Sequence, residues 1–231
     1  MPLAPARTHP WRVSAARAMT IQRALREQVV IQPFARMPEV VAGLDVSVRG
    51  DRATAAVVSL TLPTLEPIDA ATASRPVPFP YVPGLLAFRE APVILDALEQ
   101  LETTPQVLVF DAHGLAHPRR FGLAAHVGVL LDWPSIGCAK SRLCGEYDEP
   151  DPARGSWTGL REDDEVIGAV LRTRDDVKPV FVSVGHRTDL ESAISVILAC
   201  AAHYRLPETT RWAHRVAGGD SFPVSGTADQ P

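Results

Sequence analysis

Two aspartates close apolar runs of the chain: Asp45 follows Val40-Val41-Ala42-Gly43-Leu44, and Asp111 follows Val107-Leu108-Val109-Phe110. Carboxylates brought together at buried strands lose their hydration and repel each other, and a divalent cation relieves both costs. Oxygen donors with no cysteine among them suit Mg²⁺ or Mn²⁺. The other reading is that each Asp merely caps a turn. Glu90, just before Pro92, fits the first turn of a helix, where an acid favours the helix dipole. Lys140 closes Ile136-Gly137-Cys138-Ala139, so its ammonium either neutralises a phosphate or reaches out to water. His214 shares a helical face with Arg211 and Arg215, a cluster that suits a polyanion or a solvated surface equally. Tyr81 sits between Pro80 and Pro83, with Gly84 allowing a sharp turn after it. Such a stiffened aromatic is either a wedge for a base stack or ordinary loop packing.

Other chemistries are excluded. His113 and His117 have the i, i+4 spacing of a zinc helix, but position 114 is Gly and Pro118 follows at once, so no zinc site is expected. The sequence has no G-x-S-x-G, P-loop or dinucleotide fingerprint. Cys138, Cys144 and Cys200 contain no C-x-x-C and are expected to be buried thiols. The net charge is −4, which does not advertise a phosphate binder. That sum conceals asymmetry: residues 1–36 carry six arginines against Glu27, whereas 146–165 carry eight acids against Arg154 and Arg161. No apolar run approaches the roughly 18 residues of a membrane span and no secretory signal is apparent, so a cytoplasmic protein is expected.

The elements that must position these residues follow from periodicity. With 231 residues, 46% of them apolar, a single core is expected. Residues 1–10 and 218–231 read as flexible tails around one domain over 11–217. A helix is predicted over Val13–Val30. Strands are predicted over Val40–Val48 and Ala53–Leu62, with Gly50-Asp51 turning between them, and one edge strand is expected in the proline-punctuated stretch that follows. A helix should begin near Ala91, with Pro92 in its first turn. Val107–Phe110 has the form of a strand buried on both faces, followed by a helix over Gly122–Leu131. Further strands are expected at Ile136–Ala139, Val166–Leu171 and Val180–Val184. Thr188 and Glu191 form a capping box for a helix to about Tyr204, and Pro207 opens a last helix ending at Gly218. The class is α/β, with a mixed central sheet flanked by helices.

Together these residues match a known pattern. The stretches Gly43-Leu44-Asp45-Val46-Ser47, Pro80 through Glu90, Asp111 through Gly128, Ile136 through Gly145, Ser183 through Leu190 and Leu206 through His214 resemble the endonuclease V family, which nicks DNA at deoxyinosine and has a ribonuclease H-like fold. The resemblance implies Mg²⁺-dependent hydrolysis of the second phosphodiester bond 3′ to a deaminated base, with the lesion left in place. It implies Asp45 and Asp111 as metal ligands, Glu90 and His214 completing the metal and water environment, and Lys140 stabilising the phosphate. Tyr81, Val82 and Pro83 correspond to the strand-separating wedge, and Gly84, Leu86, Gly114 and Leu143 to the surroundings of the flipped base. The partner implied is DNA with deaminated bases, bound by a monomer; inosine RNA, or silent binding of distorted duplex, are the competing expectations. Ala112 replaces the family's usual Gly and adds a methyl group at the base pocket.

Overall fold

The computed structural model describes residues 3–222. In chain order the elements are α1 (Ala15–Arg26), β1 (Val40–Arg49), β2 (Arg52–Thr61), β3 (Pro67–Pro76), α2 (Leu86–Leu98), β4 (Val107–Phe110), α3 (Leu123–Leu131), β5 (Ser135–Ala139), β6 (Trp157–Glu162), β7 (Glu165–Leu171), β8 (Val180–His186), α4 (Leu190–Cys200) and α5 (Glu208–Gly218). The eight strands form one sheet in the order β3-β2-β1-β4-β5-β8-β7-β6. β1, β4 and β5 run parallel at its centre, and the remaining pairings are antiparallel.

Alternation along the central strands sorts the core into two layers. Ala42, Leu44, Leu108 and Phe110 pack with α2 and α3, through Ala91, Ile94, Leu98, Val127 and Leu130. Val41, Val107 and Val109 pack on the other face with α4 and α5, through Val196, Ile197, Ala213 and Val216. The odd-numbered residues of β1 therefore face α5, and one of them is Gly43. A Cβ there would stand 2.1 Å from the backbone carbonyl carbon and oxygen of Thr209. Glycine is required because α5 lies directly on the strand.

Four expectations need correction. α2 begins at Leu86, five residues before Ala91, and Pro92 lies inside it. Burial of Leu85, Ala87, Phe88 and Ala91 outweighs the one helical hydrogen bond that proline removes. Glu90 is consequently a mid-helix residue, and the dipole no longer accounts for it. The N-cap of α4 is Asp189, whose Oδ1 accepts from the Ser192 N–H at 2.8 Å; Thr188 is buried instead, and the helix stops at Cys200. Strand β6 was not foreseen, because Trp157-Thr158-Gly159 is an exposed edge without a clean apolar alternation. Finally, residues 3–10 are not a tail outside the core. Leu3 is buried, the Ala6 and Arg7 N–H groups donate to the Leu130 carbonyl at 2.8 and 3.0 Å, and His9 and His126 share a 2.6 Å hydrogen bond between their Nε2 atoms. Isolated apolar residues between prolines bury here without any period that sequence reading detects. Of the C-terminal segment expected to be a tail, residues 223–231 lie outside the described residues, whereas Phe222 stands edge-on to Trp212.

Cys138 and Cys200 are buried as expected, and Cys144 is partly exposed; none is in a disulfide. Among the described residues no helix is long and apolar enough to cross a membrane.

The Gly43 contact generates a test. Gly43→Ala should cost about 1–3 kcal/mol, the range for overpacking a tight contact, read as a lower urea midpoint with an unchanged slope. An unchanged midpoint would show that α5 does not rest on β1.

Candidate active site

The register of β1 and β4 brings the two aspartates together. The strands pair in parallel with Leu44 opposite Phe110, and the Asp111 N–H donates to the Leu44 carbonyl at 3.3 Å. Asp45 and Asp111 thus occupy neighbouring positions on adjacent parallel strands, pointing to the same face. Asp111 is the first residue beyond the carboxyl end of β4, the edge at which open α/β sheets bind ligands. The turn-cap reading fails for Asp45, which is interior to a ten-residue strand.

Each acid has a different relief. Asp45 Oδ2 accepts from His214 Nδ1 at 2.6 Å, with the Asp45 side chain 15% exposed and His214 69% exposed. Asp111 Oδ2 is paired with Lys140 Nζ. Glu90 comes in from α2, beside both aspartates. Burial, then the charges of Asp45 and Asp111, push its carboxyl from 4.5 up to about 8, against the opposing pull of Arg89. Asp45 is also raised, by burial first and then by Asp111, although the His214 hydrogen bond opposes the rise.

Three carboxyl groups so close together, with Glu90 and Asp45 raised by burial and by neighbouring acid charge, make an electrostatically incomplete site. The donors are all oxygen, which fits a hard divalent cation such as Mg²⁺ or Mn²⁺. Asp45 and Asp111 are the residues able to hold it, with Glu90 alongside. Among the described residues no group of three or more His, Cys, Asp or Glu side chains is placed to hold a metal ion: Asp111 is paired with Lys140 and Asp45 with His214. A cation held by only two or three carboxylates would keep part of its water shell, as Mg²⁺ usually does.

A cavity of about 410 Å³ opens beside these groups, within the roughly 300–1,000 Å³ of small-molecule sites. Its wall includes Asp111, Lys140, Tyr81, Val82, Pro83, Gly84, Leu86, Ala112 and Leu143. Tyr81 is 68% exposed and Leu143 44%, so the rim carries two solvent-facing apolar groups. Val82 packs inward beside Phe79, Leu85 and Phe88, which fixes the loop that displays Tyr81. Gly84 has φ +76°, a left-handed turn that favours glycine. The methyl of Ala112 lies in the wall, as its place in the sequence suggested.

Gly114 is different from the other pocket residues, because it does not line the cavity. Its N–H donates to Ser183 Oγ at 2.9 Å, and a Cβ would stand 2.0 Å from the Val184 carbonyl oxygen. It fastens the 111–122 loop to β8. His113 and His117 lie in that irregular loop; their Nε2 atoms meet the carbonyls of Ser141 and Gly84, each at 3.0 Å. Burial lowers both, His117 to about 4.

Sequence reading missed the groups that hold the Tyr81 loop. The Gly84 carbonyl accepts from Gln22 Nε2 at 3.0 Å and Arg119 Nη2 at 2.5 Å, and meets His117 Nε2. Gln22 Oε1 in turn accepts from Arg119 Nε at 2.6 Å. The only signal was a glutamine near the buried stripe of α1, which is too common to single out.

A family model described as Endonuclease V matches residues 23–215. The curated endonuclease V of Roseiflexus castenholzii is 53% identical over 219 residues, covering 95% of this chain and 99% of that protein. Among solved structures, endonuclease V from Streptomyces avermitilis superposes with a TM-score of 0.87 at 43% identity, covering 94% of this chain and 96% of the other. Ciona intestinalis endonuclease V, solved with a 24mer DNA containing an inosine followed by a ribo-adenosine, gives a TM-score of 0.75 at 27% identity, over 88% and 95% of the two chains. The mixed sheet and its flanking helices are thus the ribonuclease H-like architecture anticipated from the sequence.

The raised Glu90 yields a stability test. Between about 4.5 and about 8 the native protein keeps a proton that the unfolded chain has released. The resulting contribution is full below about 4.5 and is lost as the pH rises through about 8. In chelator-treated protein Glu90→Gln should therefore match wild type near pH 4.5 and melt higher at pH 9, by about 2–4 °C for each kcal/mol recovered. A Tm difference independent of pH would refute the carboxyl repulsion.

Proposed function

The chain belongs to the endonuclease V family, and from that premise we propose that it is a DNA repair nuclease that nicks the second phosphodiester bond 3′ to deoxyinosine by Mg²⁺-dependent hydrolysis. The observation that carries this reading is the meeting of Asp45, Glu90 and Asp111, the last of which lines a pocket that also presents Tyr81.

Bound between Asp45 and Asp111, the cation would offset the charge of the phosphate and activate a water. The protein's own groups supply the rest. With Asp45 ionised, His214 Nδ1 carries the hydrogen of their shared bond, which leaves the neutral ring a lone pair on Nε2. That exposed nitrogen is able to take a proton from water or pass one to the leaving oxygen. Lys140, seated on Asp111, places an ammonium where a phosphate oxygen approaches the carboxylates. Glu90, its carboxyl raised to about 8 by burial and the neighbouring acids, holds a proton at neutral pH and would supply a third oxygen donor to a bound cation.

On the binding side, Tyr81, Val82 and Pro83 enter the duplex beside the lesion, and the base turns out into the cavity behind Gly84. Extruding a base costs a few kcal/mol, less at a mismatch, so inosine is favoured before any wall contact forms. The apolar Leu86 and Leu143 offer surfaces for a flat ring, and Ala112 narrows the floor.

One observation favours a second reading, inosine-directed ribonuclease activity: the Ciona relative was solved on a strand with a ribo-adenosine after the inosine. Matched inosine oligonucleotides in DNA and RNA form separate the two, because a site that needs the 2′-OH loses the DNA substrate.

Asp111→Ala should lower nicking of end-labelled inosine duplex about a hundredfold or more, since the cation supplies several kcal/mol and each 1.36 kcal/mol is tenfold. Chelation should do the same to wild type, with Mg²⁺ or Mn²⁺ restoring it. Nicking by Asp111→Ala at the wild-type rate would remove the proposed metal chemistry, and binding without cutting under either metal would make the protein a silent binder.

A further inference from the structure

Asp111 and Lys140 lie in the walls of two cavities. One is the Tyr81 pocket; the second, of about 220 Å³, is lined by Thr210, Arg211, His214 and Arg215 of α5 together with Asp111 and Lys140. α2 covers one face of the sheet and α5 the other; the first cavity is lined by Leu86 and Ala87 of α2, so the cavities approach the shared pair from opposite faces.

We infer that the second cavity is a phosphate subsite, in which Arg211 and Arg215 hold the phosphate immediately 3′ of the scissile bond. This rests on the reading above, that the flipped base fills the first cavity and the cut falls on its 3′ side at Asp111 and Lys140. A strand that enters from the base pocket and crosses the cut must leave by the other side, and there it meets α5.

The lining suits that ligand. The Arg211 guanidinium carbon lies 3.4 Å from the centre of the Tyr204 ring, and that of Arg215 lies 4.8 Å from the Trp212 ring. Stacking uses the flat face of a guanidinium and leaves its N–H edge, the part that matches a phosphate. Arg211 Nε is buried without a hydrogen-bond partner. Two acids temper the field: Glu208 Oε2 stands 3.5 Å from Arg211 Nε, and Asp220 Oδ2 accepts from Arg215 Nε at 2.9 Å. Each engages one Nε only. Lys140 adds a third cation at the shared wall, and its carbonyl accepts from Arg205 Nη2 at 2.8 Å, which ties the β5 end to the approach of α5.

The test replaces single phosphates in an inosine oligonucleotide by neutral methylphosphonate. Placed at the linkage just 3′ of the scissile bond, it should lower wild-type kcat/KM about tenfold, mainly through KM, as expected for one charge-assisted contact. The double variant Arg211→Gln/Arg215→Gln should lose about the same on the all-phosphate strand and nothing further on the substituted one. It should also show a salt slope shallower by about 1. Arg211→Lys should recover part of the loss, and a methylphosphonate 5′ of the lesion should affect both proteins alike. Equal additional losses in wild type and double variant would overturn the subsite while leaving the nuclease intact. If wild type cuts no inosine strand at all, the underlying reading falls and the subsite falls with it.

Discussion

Mutual repulsion among Asp45, Glu90 and Asp111 is the constraint on which the rest of the structure depends. Left to themselves, three carboxyl groups in a partly desolvated corner would move apart or into water. The fold prevents this in two ways. Asp45 and Asp111 are fixed by the hydrogen-bonded register of parallel strands β1 and β4. Glu90 is fixed by a helix whose buried side, including Phe88 and Ala91, is locked against the sheet. His214 and Lys140 each relieve one aspartate, and the glutamate, buried as well as beside both acids, is pushed up to about 8. The fold thus holds together a charge pattern that costs folding stability.

The two layers of helices divide the work. The α2 face carries Glu90, the exposed Tyr81 and the Gly84 turn, whose carbonyl is held by hydrogen bonds from α1 and the 111–122 loop. The α5 face carries His214 and the arginines of the second cavity. Asp111 and Lys140, at the strand ends, belong to both. The two cavities therefore lie on different faces of one sheet, joined where the central strands stop. Close contact of α5 with β1 at Gly43 keeps the histidine within reach of Asp45, so the packing of a glycine in the core bears directly on the position of His214.

How much was legible beforehand depended on whether the signal was local. Apolar runs closed by Asp45 and Asp111 marked both strands and both acids, because a strand buried on two faces has a composition that turns and helices lack. The Pro80–Gly84 segment announced a stiff exposed loop for an equally local reason, the fixed φ of proline. Pro92 misled, since its local preference for a first turn was overridden by the burial of Leu85 and Phe88. Thr188 and Glu191 imitated a capping box, while Asp189 satisfied the same helix end one residue later. The N-terminal Leu3 and His9 gave no period at all, and their burial against α2 and α3 is purely a tertiary outcome.

By itself the sequence determined which side chains were available, the α/β alternation and the family pattern, because these follow from residue type and short-range spacing. It did not decide that Glu90 lies beside the aspartates, that His214 relieves Asp45 across 169 residues, or that Gly114 fastens a loop while Gly84 turns at the cavity. Those are relations between strands and helices distant in the chain. Charge interaction and close packing act through space, and only the folded sheet sets the distances over which they operate.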